Sequence, residues 1–71
     1  MAYYEIVEEN MNPCGGEEYR SVNITEDYVS DPVEYVRART DPGDIVREDK
    51  EDGSIQVTWS KKGYIRRFTF S

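Results

Sequence analysis

Turn signals in the last third of the chain constrain its fold more than any other feature of the sequence. Asp52-Gly53 and Lys62-Gly63 separate three runs that are rich in β-branched and aromatic residues. Dipeptides of this kind favour tight turns between antiparallel strands. The sequence therefore predicts a meander of three strands in the C-terminal part of the chain.

The alternation of residues along these strands predicts which side chains share a face of the sheet. The predicted core face carries Val46, Ile55, Val57, Trp59, Tyr64, Phe68 and Phe70. The predicted polar face carries Arg47, Gln56, Thr58, Arg67 and Thr69, with Ile45 and Ile65 as apolar exceptions. Arg66 falls on the core face. These faces hold for either a two-residue turn at Lys62-Gly63 or a four-residue loop over residues 60–63. With the two-residue turn, Arg66 would lie across from Trp59, where its cation can contact the indole, and Glu48 is its expected ion-pair partner.

Upstream of the meander the sequence predicts two strands and a helix. The strands are expected around residues 3–8 and 19–24, on either side of a polar loop. Asp31 is the predicted N-cap and Pro32 the first helical residue, and the helix is expected to run for about three turns before Asp41-Pro42-Gly43 ends it. The order ββαβββ predicts a single α+β domain over residues 1–71, with an antiparallel sheet of about five strands and one short helix packed on one face.

Composition excludes several classes of function. The chain has 71 residues, no histidine and one cysteine, Cys14, so it cannot form an intramolecular disulfide, a Cys/His zinc site or a histidine-dependent catalytic group. Cys14 is expected to be an ordinary loop residue. The acidic run before Gly53 does not match a calcium loop, because Lys50 would take a ligand position and Trp59 the position of the bidentate glutamate. We expect a protein without cofactor, metal, enzymatic activity or small-molecule substrate.

The sequence also bears on location. It begins without a basic or apolar leader and contains no apolar stretch near the roughly 20 residues that span a bilayer. A cytoplasmic location without membrane association is therefore expected.

Charge is distributed unevenly along the chain. All 15 acidic residues lie between Glu5 and Asp52, and the formal net charge is -6. The segment after residue 60 contains no acid, and its cations are Lys61, Lys62, Arg66 and Arg67. Because the distribution of charge governs partners and encounter rates, it indicates a surface reserved for a partner of opposite charge.

The leading hypothesis is a non-enzymatic interaction protein that binds, and in doing so inhibits, a macromolecular partner with a basic surface. Carboxylates on a rigid scaffold can compete with nucleic acid for the same basic groups. The candidate contact residues are the exposed acids and one aromatic anchor, namely Glu34, Tyr35, Asp41, Asp44, Glu48, Asp49, Glu51 and Asp52. In size and charge the chain resembles the small inhibitor proteins that phages make against host nucleases and defence complexes, including anti-CRISPR and DNA-mimic proteins.

Three alternatives remain open at this stage. A small RNA- or DNA-binding module would use the basic surface of the C-terminal strands, formed by Arg47, Lys61, Lys62 and Arg67 together with Arg66. An accessory subunit of an enzyme complex would associate permanently with its partner subunits. A charged surface can also serve only to keep a small domain soluble.

Overall fold

The computed structural model of the protein describes residues 2–11 and 21–71. Its elements are β1 (Ala2–Met11), β2 (Ser21–Val29), α1 (Pro32–Arg37), β3 (Asp44–Asp49), β4 (Ile55–Lys61) and β5 (Tyr64–Phe70). The predicted five-stranded antiparallel sheet and the single short helix are confirmed. Cys14 and the predicted start of the second strand at Tyr19 lie outside the described residues.

The five strands form one sheet in the order β2-β1-β5-β4-β3, and each neighbouring pair is antiparallel. The C-terminal strand β5 therefore lies at the centre. Beyond its end, Ser71 and Glu5 exchange two backbone hydrogen bonds, of 3.0 and 2.7 Å. The segment that contains α1 connects β2 at one edge of the sheet to β3 at the other.

One face of the sheet, which we call the inner face, carries the core. Its buried side chains are Ile6, Val29, Val57, Trp59, Phe68 and Phe70, and α1 adds Val36 to the same cluster. The half-buried ring of Tyr35 also contacts this cluster edge-on, with its centroid 6.4 Å from that of Phe68 and 5.5 Å from that of Phe70. Full burial of such side chains contributes about 1.5 to 3 kcal/mol each, so this cluster is the main source of hydrophobic stabilisation in the fold.

The helix is shorter than the three turns expected from the sequence. Asp31 is the N-cap as predicted, and its Oδ1 accepts a hydrogen bond of 3.0 Å from the Val33 amide. The helix ends at Arg37 because the carbonyl of Val36 is used twice, by the Arg39 amide at 3.0 Å and by the Thr40 hydroxyl at 2.8 Å. These bonds tighten the last turn and take the chain out of the helical path.

The turn between β4 and β5 has two residues, the shorter of the two alternatives that the sequence leaves open. Both Lys62 and Gly63 have positive φ, at 52° and 86°, as a type I′ turn requires. The pairing of Trp59 with Arg66 is therefore confirmed. With this register, Val57, Trp59, Phe68 and Phe70 lie on the inner face, as the alternation predicted.

The predicted faces of β3 are wrong because the turn before β4 has three residues rather than two. The Lys50 amide donates to the Ser54 carbonyl at 2.8 Å, and Gly53 has a φ of 92°. An odd loop shifts the pairing by one residue and exchanges the two faces of a strand. Ile45 and Arg47 consequently lie on the inner face opposite Trp59 and Val57, whereas Val46 and Glu48 lie on the other face.

The expected contacts of Arg66 are also corrected. Its Nη2 pairs with the carboxylate of Glu8, whereas Glu48 is on the opposite face and pairs with Lys50. The guanidinium lies 5.5 Å from the ring centroid of Phe68 rather than over the indole. Strand β1 supplies this acid because Asn10 lies directly opposite Arg66, and Glu8, opposite Phe68, is the diagonal neighbour on the same face.

Candidate interaction surfaces

Four of the seven predicted acidic contact residues form what we call the acidic hairpin, which consists of Glu48, Asp49, Glu51 and Asp52. Two of these carboxylates are already paired within the chain. Asp49 Oδ1 lies 3.1 Å from Arg47 Nε, and Glu48 Oε1 lies 3.1 Å from Lys50 Nζ. Exposed pairs of this kind add little stability, but they reduce the charge that the hairpin presents to a partner.

Asp52 is held by its own turn. The Ser54 hydroxyl and backbone amide both donate to Asp52 Oδ1, at 2.6 and 2.9 Å. The hydroxyl, followed by the amide, lowers the pKa of Asp52 below its ordinary value. This carboxylate therefore stays ionised but serves the local geometry of the hairpin.

The other predicted contact residues are dispersed. Glu34 is exposed on α1 and lies 3.4 Å from Arg37 Nη1, while Asp41 and Asp44 are exposed before and at the start of β3. Tyr35, the expected aromatic anchor, packs against the core, and the guanidinium carbon of Arg39 lies 3.4 Å from its ring centroid. The structure thus gives Tyr35 a packing role, and its contact with a partner stays a prediction.

The alternative basic surface does not form one patch. Arg47 lies on the inner face and Arg67 on the opposite one, because of the register of β3. Lys61 and Lys62 remain together at the β4–β5 turn, where they line a cleft of about 590 Å³ with Trp59 and other residues. The cations of the C-terminal segment are therefore divided between two faces.

A further surface was not among the predicted sites. On the face opposite the core, which we call the open face, strands β1 and β2 form three successive cross-strand pairs, namely Tyr3–Tyr28, Glu5–Glu26 and Val7–Ile24. The exposed fractions of Tyr3, Ile24 and Tyr28 are 54%, 66% and 64%. Exposed apolar side chains that lie side by side on one sheet face are typical of interaction surfaces.

The electrostatics of the open face are unusual. Glu5 and Glu26 are directly opposite each other on neighbouring strands, an arrangement that is destabilising for like charges. In the described part of the chain neither carboxylate has an ion-pair partner. A hydrogen bond with Glu26 is the main reason that the pKa of Tyr3 is raised above its ordinary value. The open face thus combines apolar surface with uncompensated negative charge.

The sequence of β2 carried a signal for this surface. Val22, Ile24 and Tyr28 have the same parity, which by itself predicts a strand with one apolar face. Val29 has the opposite parity, and it is Val29 that enters the core. Periodicity shows which residues share a face but not which face is covered, so the outward direction of this apolar face could not be predicted.

In residues 2–11 and 21–71 no group of three or more potential metal-ligating side chains comes together. Within the same ranges, the helix is neither long nor apolar enough to cross a membrane. Comparison with known proteins finds no family model that matches the chain, and neither a curated protein nor a solved structure is significantly similar to it.

Proposed function

We propose that the protein is a non-enzymatic interaction protein that binds a basic surface of another protein and inhibits that protein by covering the surface. The observation that carries this proposal is the open face, where exposed tyrosine and aliphatic side chains lie among carboxylates that no cation of the described chain neutralises. Aromatic residues supply much of the binding energy of interfaces, and charge complementarity supplies specificity and encounter rate.

A protein partner fits this surface better than a nucleic acid. Glu5 and Glu26 would repel a phosphate backbone, which must be neutralised by cations when it binds. The cations that a nucleic-acid module would need are split between two faces, and Arg66 is already paired with Glu8. Apolar side chains around the acids favour a partner that offers both aliphatic and basic groups.

The proposal is tested by capturing the partner and measuring its affinity for matched variants. The immobilised full chain is exposed to an extract of its source cells in three forms: wild type, the open-face variant Ile24→Ser/Tyr28→Ser and the hairpin variant Glu51→Gln/Asp52→Asn. Each retained protein is purified and titrated against all three forms by calorimetry at low and high salt. All four substituted residues are exposed, so both variants should fold.

We expect a partner with a basic surface whose Kd rises with salt and is about tenfold or more weaker for the open-face variant than for wild type. The hairpin variant should bind within a factor of about three of wild type, because loss of exposed charges costs little. The partner's own activity should fall as the complex forms. Retention of nucleic acid instead of protein, or equal Kd values for all three forms, would contradict the proposal.

A further inference from the structure

The open face has the geometry of a receptor for one particular side chain. The three cross-strand pairs follow one another on the same face, so neighbouring pairs are separated by about 6.6 to 6.8 Å along the strands. The central pair is charged, and the pairs on either side are aromatic and aliphatic. Any segment that covers this surface must therefore place a polar group between two apolar ones.

Among residues 2–11 and 21–71, no cation forms an ion pair with the central pair. Glu5 is flanked by Glu26 on one side and by Ser71, through backbone hydrogen bonds, on the other. Glu9, two pairs further along β1, differs because it lies opposite Arg67 of β5. Uncompensated charge is thus located at the Glu5–Glu26 pair, and it is not spread evenly over the open face.

We propose that this surface docks an amphipathic segment of the partner protein, with one arginine of that segment placed on the carboxylates of Glu5 and Glu26. This inference rests on the proposed function and specifies its partner. Apolar side chains on either side of the arginine contact the Tyr3–Tyr28 pair and the Val7–Ile24 pair. Residues four apart on a helix are about 6 Å apart along its axis, which is close to the spacing of the three pairs.

Arginine fits this site better than lysine. Its planar guanidinium carries five N–H donors and can bond two carboxylates at once, whereas lysine offers a compact and strongly hydrated charge. Guanidinium groups also stack on aromatic rings. The same chain shows this contact internally, where the guanidinium carbon of Arg39 lies 3.4 Å from the ring centroid of Tyr35.

Two other occupants fit less well. A second copy of the chain would bring its own Glu5 and Glu26 against the same two acids, and each copy has a net charge of -6. An added strand at the β2 edge would lose one backbone hydrogen bond, because the Tyr28 amide already donates to Asp27 Oδ1 at 2.8 Å. Docking on the face by a basic segment avoids both conflicts.

The test uses small probes that isolate the side-chain chemistry. The N-acetyl methylamides of arginine, lysine and citrulline are titrated into the isotope-labelled full chain at low salt. Binding is followed by NMR at the side-chain carboxyl carbons of all glutamates and aspartates. The chain is measured as wild type, as Glu5→Gln/Glu26→Gln and as the matched control Glu51→Gln/Asp52→Asn, which removes two acids elsewhere.

We expect saturable shifts at Glu5 and Glu26 with the arginine probe, about fivefold or more weaker binding of the lysine probe, and none with neutral citrulline. These shifts should be absent in Glu5→Gln/Glu26→Gln and unchanged in the control variant. Equal binding of arginine and lysine, or shifts spread evenly over all acids, would overturn the inference, as would a wild-type dimer in analytical ultracentrifugation.

Failure of the inference and failure of the proposed function give different results. If the probes show no preference for arginine while the captured partner still loses affinity for Ile24→Ser/Tyr28→Ser, the arginine site is wrong and the proposed function stands. If no partner protein depends on the open face, the proposed function is wrong whatever the probes show.

Discussion

The open face should contribute little to the stability of the free protein, and a matched pair of substitutions tests this. Val57 is completely buried on the inner face, and Val57→Thr replaces a methyl group by a hydroxyl that has no partner there. Burial of an unsatisfied hydroxyl costs about 1 to 3 kcal/mol. Ile24 is 66% exposed, so only about a third of its side chain is removed from water. With about 0.8 kcal/mol for each fully buried methylene, Ile24→Thr should cost about 0.5 kcal/mol or less.

Both values can be measured by equilibrium unfolding in urea. Trp59 is the single tryptophan and is only 7% exposed, so its fluorescence reports the loss of the core. The difference between the two variants should be at least about 0.5 kcal/mol, which corresponds to about 2 to 4 °C in Tm for a domain of this size. If Ile24→Thr destabilises the protein as much as Val57→Thr, the open face is part of a packed core, and it is not a surface left for a partner.

Three further predictions concern contacts that hold the fold. Glu8→Gln should lower the free energy of unfolding by about 1 to 3 kcal/mol, because it leaves the Arg66 cation, whose side chain is only 28% exposed, without its counter-ion. A double-mutant cycle with Arg66→Met measures the coupling between the two side chains, and a coupling near zero would contradict this. Gly43→Ala should lower the free energy of unfolding by about 1 to 3 kcal/mol and shift the tryptophan emission, because a Cβ there would lie 2.6 Å from the indole nitrogen of Trp59. Unchanged emission and stability would show that the indole is not held at this position. Because the pKa of Asp52 is lowered from its ordinary value of 3.8, the contact of its carboxylate with Ser54 stabilises the hairpin above pH 3.8 and is lost as the pH falls through the lowered pKa. Ser54→Ala should move the pKa of Asp52, measured by NMR titration of its carboxyl carbon, back toward 3.8, and an unchanged midpoint would count against the hydroxyl as the main cause.

Much of the C-terminal half could be predicted from local sequence. The faces of β4 and β5 follow from the alternation for either turn length that the sequence allows, and the type I′ turn at Lys62-Gly63 sets the pairing of Trp59 with Arg66. The face of β3 could not be fixed in the same way. Two-residue and three-residue turns at Asp52-Gly53 use the same glycine, and they differ by the one residue that decides whether Val46 is buried or exposed.

The candidate site was harder to predict for a related reason. Acidic residues are visible in any sequence, but whether a carboxylate is free depends on neighbours that are distant in the chain. Glu8 of β1 pairs with Arg66 of the neighbouring strand β5. Glu5, three residues earlier, lies opposite Glu26 of β2 and has no ion-pair partner in the part of the chain that the structure describes. Strand order and register therefore decide which of these acids can receive a partner.

The surface that the partner covers can be mapped directly by NMR. Side-chain and amide shifts of the purified complex, compared with those of the free chain, show which residues lie at the interface. We expect shift changes at Tyr3, Glu5, Ile24, Glu26 and Tyr28, with the acidic hairpin unchanged. Shift changes centred on the acidic hairpin or on α1, with the open face unchanged, would contradict the proposed interface.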